Sequence, residues 1–162
     1  MKILAFDQAT HVTGFAVLDG GKLAKHGVLT AKASLPIMER IYQMSDMVAE
    51  LIEAEQPDVV CFEGVEGVKN ERTMMLLANL QGMCLSRARQ CGHVASTIDV
   101  ATWRHRLDFV MGRGIKRDDL KAQAVAFVAR EYDLACGDDE AEAICIAVAV
   151  NKSLDSKEKR NV

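Results

Sequence analysis

At 162 residues, 49% hydrophobic and 27% charged, the chain has the make-up of one folded domain, long enough to bury about two thirds of its unfolded surface. No apolar run approaches the ~20 residues that cross a bilayer, and the start enters a strand without a secretory leader's order of basic, apolar and small residues, so a cytoplasmic protein is expected. A net charge of −3 excludes a uniformly basic coat but leaves room for a local basic strip.

Three short strands are predicted first, at about 2–8, 12–18 and 22–30, with Asp19-Gly20-Gly21 as a tight turn between the second and third. From Pro36 to about Glu55 the apolar residues Ile37, Ile41, Met44, Val48, Leu51 and Ile52 fall at helical spacing, with Ser34 as a start signal. "PDVVCFEG" predicts a strand at 58–63, and Arg72 to Gln90 an amphipathic helix. A strand at 93–98 leads into a stretch that is helical around Trp103 to Val110 and then a loop. Helices at about 118–132 and 138–151 close the pattern. Three antiparallel strands followed by helix–strand–helix–strand–helix indicate an α/β fold with one mixed five-stranded sheet flanked by helices. The domain is read as 1–151, with 152–162 a polar, frayed tail. Five cysteines have no zinc-type spacing and are expected as reduced, buried thiols.

Three acidic positions fall where burial is expected. Asp7 ends the first strand and Glu63 ends the apolar run Val59–Phe62. In "GDDEAEAICIAVAV", Asp139, Glu142, Ala143 and Ile146 form one stripe of a helix that is apolar nearly all round. Each has a plainer reading. Asp7 can cap a turn with Thr10, and Asp138, Asp139 and Glu140 suit a helix N-terminus. Glu66 competes with Glu63, and Asp138 with Asp139. Buried carboxylates that converge without a basic partner must take up protons or be neutralised by a cation. An oxygen-only ligand set suits Mg²⁺, with Mn²⁺ as a substitute, and two such ions ~3.5–4 Å apart are the usual clamp for phosphodiester hydrolysis.

A basic strip lies between 103 and 121, with Arg104, His105, Arg106, Arg113, Lys116, Arg117 and Lys121; Lys69 and Arg72 add charge near the second helix. The glycines of "GRGIKR" let that loop approach a phosphate backbone closely. Trp103 reads as core rather than as a base-stacking platform, and none of the four histidines is assigned to catalysis.

Together the segments "ILAFDQATHVTGFAVLDGG", "VVCFEG", "GRGIKRDDLKAQAV" and "DDEAEAICIAVAV" resemble, in order and separation, RuvC-type Holliday junction resolvases of the ribonuclease H-like fold, with a loop after Glu63 that resembles phage-type members. The resemblance spans residues 2–150. It implies a metal-dependent, structure-selective endodeoxyribonuclease that resolves four-way or other branched DNA by paired symmetric cuts. Asp7, Glu63, Asp139 and Glu142 match the metal-binding acids, and Lys121 matches a lysine beside the scissile strand. Lys116 and Arg117 fall in the basic loop. The DNA-contacting set is then Lys69, Arg72, Arg113, Lys116, Arg117 and Lys121. Paired cuts imply a C₂ homodimer, with helix 72–90 as the candidate interface.

The chain departs from the family at Gln8-Ala9, which replaces Pro-Gly and is expected to alter only the turn. Glu142 stands where aspartate is usual, and the loop "GVEGVKN" lacks an aromatic residue for stacking on bases. Three rivals share parts of this pattern. A sugar-kinase or actin-like ATPase needs a second lobe. A YqgF-like nuclease would cut structured RNA, and a non-catalytic binding module would have no use for four acids.

Overall fold

The computed structural model describes residues 1–65, 68 and 70–158. Its five strands are β1 (Lys2–Asp7), β2 (Val12–Asp19), β3 (Lys22–Thr30), β4 (Val59–Glu63) and β5 (Val94–Ile98). They form one sheet in the order β3-β2-β1-β4-β5. β1 and β3 flank β2 antiparallel, while β4 runs parallel to both β1 and β5. The expected three-plus-two mixed sheet is therefore present.

Strand alternation assigns the two faces. Ile3, Ala5, Ala16, Leu18 and Cys61 point to a core shared with Trp103, Phe127 and the buried run of the last helix. Leu4, Phe6, Phe15, Val17, Val60 and Phe62 point the other way, onto Ile41, Met44, Val48, Leu80 and Cys84. Helices α1 (Ile37–Glu55) and α2 (Glu71–Gln90) cover that second face. Helices α3 (Val100–Arg106), α4 (Arg117–Tyr132) and α5 (Asp138–Glu158) cover the first.

Several boundaries differ from the sequence expectation. Ser34 does not cap α1, which starts at Ile37 after Pro36. α3 begins at Val100, three residues before Trp103, after Asp99 at the N-cap. It ends by Leu107, because Asp108 adopts a left-handed φ of 58° and the chain turns back with Phe109 N–H bonded to the Arg104 carbonyl. Lys116 and Arg117 are the N-cap and first residue of α4, not the interior of a loop; Asp119 accepts from the Lys116 N–H at 2.8 Å. α5 runs on to Glu158, past the expected end at Asn151. An Asn151–Asp155 side-chain bond of 3.1 Å supports the added turns.

All five cysteines are free. Burial raises the thiol pKa of Cys61 to about 11 and of Cys84 to about 12, so both remain protonated and inert at neutral pH.

Candidate active site

β1 and β4 are parallel neighbours in the register Phe6↔Phe62, so Asp7 and Glu63 leave the sheet side by side at its carboxyl edge. They belong to the alternation class of Ala5 and Cys61, which faces α3 and α5. Beneath them, on the other face, the Phe6 and Phe62 rings stack at 5.1 Å. The carboxyl ends of parallel strands are where open α/β sheets hold their ligands.

The third and fourth acids come from α5. That helix is buried from Ala141 to Ala147, and Glu142 lies within the run at 5% exposure. β2 lets α5 approach because Gly14, paired with Asp7 across the ladder, has no side chain to strike the Asp139 carbonyl. On the next strand, His26 pairs with Glu140 of the first turn of α5.

The electrostatics separate the carboxyl groups. Burial raises the pKa of Asp7 well above the usual aspartate value, and Glu63, Glu142 and Asp139 push it further; Lys121 opposes them. Glu63 is raised as well, chiefly by burial, against the Trp103 hydrogen bond and the Arg104 charge. The parallel register brings the Asp7 and Glu63 carboxyl groups next to each other, and each acts on the other's titration. Two carboxylates so close share a proton or take a cation between them.

Asp138 and Asp139 differ in surroundings. Asp138 Oδ2 sits 2.5 Å from Lys121 Nζ, which lowers its pKa. Asp139 Oδ1 is 3.6 Å from the same ammonium, and it is Asp139 whose charge acts on Asp7. Burial works against the Lys121 charge, but Asp138, Asp139 and Glu142 outweigh it and raise the lysine pKa.

Among the described residues, no three His, Cys, Asp or Glu side chains close on a point as a finished metal centre. The donor set nevertheless fits a hard divalent cation. It is all carboxylate oxygen, and burial together with the neighbouring acids disfavours the bare anion at Asp7. Three of the acids also engage nearby donors: Trp103 Nε1 on Glu63 at 2.8 Å, Arg104 on Glu142 at 2.8 Å, and Lys121 on Asp138.

The family model for "Crossover junction endodeoxyribonuclease RuvC" matches residues 3–150. The chain belongs to the RuvC family. Relatives of that name from Thermomicrobium roseum and Dictyoglomus turgidum are 28% and 26% identical, over 91% and 92% of this chain and 91% and 95% of theirs. The T. thermophilus RuvC structure in complex with a Holliday junction substrate superposes with a TM-score of 0.74 at 16% identity, over 92% of each chain. The yeast mitochondrial Holliday junction resolvase shares the fold at a TM-score of 0.55 and 11% identity, over 91% of this chain and 76% of its own. The ribonuclease H-like fold is thus present along nearly the whole chain.

Around Asp7 the structure gathers Glu63, Asp139, Glu142 and Lys121. Arg72 is exposed at the start of α2, and Arg113, Lys116 and Arg117 are exposed before and at the start of α4, the helix that also carries Lys121. Lys69 and Glu66 lie outside the described residues. Arg104, expected among the basic residues facing DNA, instead turns inward, its side chain 13% exposed against Glu142. The Asp7 turn is closed by Thr13, whose hydroxyl accepts from the Ala9 N–H and donates to the Ala9 carbonyl; Thr10 and the Asp7 carboxylate take no part in that closure. Gln8 does more than shape the turn, because its amide donates to the Glu63 carbonyl at 2.6 Å, as does Gln81 from α2. Trp103, Arg104, Gln8 and His26 are the site neighbours that sequence reasoning missed. Only the unusual adjacency of Trp and Arg between two acidic segments hinted at any of them.

Proposed function

We propose that this chain is a divalent-cation-dependent endonuclease that resolves Holliday junctions and other branched DNA by paired hydrolysis of phosphodiester bonds. Asp7, Glu63, Asp139 and Glu142 hold the cations, Mg²⁺ with Mn²⁺ as a substitute, two to a site. The observation that carries this reading is the pairing of Asp7 with Glu63 at the sheet edge under the first turns of α5. Bound cations supply charge neutralisation of the phosphate and an activated water for in-line attack.

The chain's own residues do the rest. Burial raises the pKa of both Asp7 and Glu63, and the Glu63 charge raises Asp7 further, which makes a bare dianion unfavourable there and the site receptive to a cation. Lys121 stays charged beside Asp138 and Asp139, where it can donate to a non-bridging oxygen as charge builds on the phosphate. Arg113, Lys116 and Arg117, exposed around the Gly-flanked entry to α4, contact the backbone of an arm, with Lys69 and Arg72 on the side of α2.

Two symmetric cuts call for two copies related by a C₂ axis. α2 supports this role: only Leu80, Cys84 and Ala88 are buried along it, while Met74 and Met75 remain 37% and 64% exposed. The names of the relatives, crossover junction endodeoxyribonucleases, favour DNA over RNA as the substrate.

The test is cleavage of an end-labelled synthetic four-way junction with Mg²⁺, wild type against Asp7→Asn. The expected result is paired nicks at symmetric positions, lost in the variant while junction binding persists in Ca²⁺. Equal cutting by both proteins, or cutting only of structured RNA, overturns the proposal.

A further inference from the structure

α3 carries none of the four acids, yet two consecutive residues on it reach two of them. The indole N–H of the fully buried Trp103 donates to Glu63 Oε1 at 2.8 Å. Arg104 Nη2 donates to Glu142 Oε1 at the same distance, the two side chains 13% and 6% exposed. Successive residues of an α-helix point about 100° apart, so neighbours on one turn can serve acids on different elements. Here the acids come from the end of β4 and the start of α5, whose separation the sheet alone does not set.

The two donors are also locked to each other. The Arg104 guanidinium lies 4.9 Å over the Trp103 ring, which in turn meets Phe109 edge-on at 5.5 Å. Arg104 Nε is buried and has no hydrogen-bond partner among the described residues. The guanidinium is thus held by Glu142 and the indole rather than by a full complement of its own bonds.

We propose that Trp103 and Arg104 are positioning residues, a brace on α3 that fixes the Glu63 and Glu142 carboxylates before a cation arrives. By taking one oxygen of each, the pair presents the remaining oxygens of both acids toward Asp7. This rests on the reading of the acids as cation ligands. Glutamate has three side-chain torsions to order. A partner that holds the carboxylate in place removes much of that entropic cost from the binding step.

The experiment counts bound Mn²⁺ by the electron paramagnetic resonance of the free ion, so it needs no cleavage and no tryptophan. The full-length chain is compared with Trp103→Phe, Arg104→Met, Arg104→Lys and Asp7→Asn. Loss of such outer partners typically weakens metal binding ~10–100-fold; Trp103→Phe and Arg104→Met are each expected to raise the Mn²⁺ midpoint by that factor, with Arg104→Lys recovering part of it. Melting temperatures in EDTA are read alongside. If Trp103→Phe and Arg104→Met melt lower but bind Mn²⁺ at the wild-type midpoint, the pair is packing only and the proposal falls. A tighter midpoint in Arg104→Met also overturns it, because Arg104 would then compete with the cation. Trp103→Phe decides alone if Arg104→Met does not fold. An unchanged midpoint in Asp7→Asn would instead remove the cation site itself, a failure distinct from failure of the brace.

Discussion

Gly14 offers a test of how tightly the site depends on its framework. The residue sits opposite Asp7 in the β1–β2 ladder, and a Cβ at this position would lie 2.5 Å from the Asp139 carbonyl carbon and 3.1 Å from the Glu140 nitrogen. Non-bonded carbons rest at about 3.5–4.0 Å, so Gly14→Ala must push the first turn of α5 away from β2 by about 1 Å. The added Cβ is fixed by the backbone of the central sheet and meets backbone atoms of the most buried helix, so neither side can rotate away. Overpacking of this kind costs about 1–3 kcal/mol. At about 2–4 °C per kcal/mol for a domain of this size, the melting temperature should fall by about 2–12 °C. The larger effect is geometric. Asp139 and Glu142 ride on the displaced turn while Asp7 and Glu63 stay with the sheet, and a 1 Å misplacement can cost about 10²-fold in rate. The assay is single-turnover junction cleavage well below the variant's melting temperature, with junction binding in Ca²⁺ as the control for folding. A fall of about two orders of magnitude in cleavage with binding retained is expected. Wild-type cleavage and melting in Gly14→Ala would refute the claim that this close approach sets the site.

Other consequences follow from the charges. Because burial and neighbouring acids raise the Asp7 pKa, the folded chain holds, between the unfolded and folded values, a proton that the unfolded chain has released. In EDTA this group's contribution is most favourable below the ordinary aspartate pKa of about 3.9 and is lost as pH rises from there through the folded value. Asp7→Asn should therefore melt higher than wild type in EDTA at about pH 8 and flatten that decline, while losing the stabilisation that Mn²⁺ confers; a lower melting temperature would contradict the assignment. Lys121→Gln should lose less than about 1 kcal/mol of stability, since Asp138 is 46% exposed and solvent screens the pair. Its junction cleavage should nevertheless fall by about 10²–10³-fold, as when a charge-stabilising donor is removed; an unchanged rate would remove Lys121 from the chemistry. Replacing Arg113, Lys116 and Arg117 together with alanine should lower the salt dependence of junction binding by about 0.9 for every phosphate no longer neutralised, as read from binding across a salt titration. An unaltered slope would place the DNA elsewhere.

Much of the architecture was legible in the chain itself. Period-2 alternation in β1 and β4 sets Asp7 and Glu63 on the same face as Ala5 and Cys61, and a helix apolar on every side had to be covered, carrying Glu142 inward with it. These are local consequences of backbone geometry and of removing apolar surface from water. Only the tertiary structure decided which residues meet across the layers. Trp103 and Glu63 are 40 residues apart, Arg104 and Glu142 are 38 apart, and His26 and Glu140 are 114 apart. Periodicity states which way a side chain points but not what stands opposite it. Arg104 therefore read as a residue for DNA and Trp103 as plain core. Hydrogen bonds, ion pairs and steric exclusion act over a few ångströms, so their partners are settled only when α3 and α5 come to rest on the sheet.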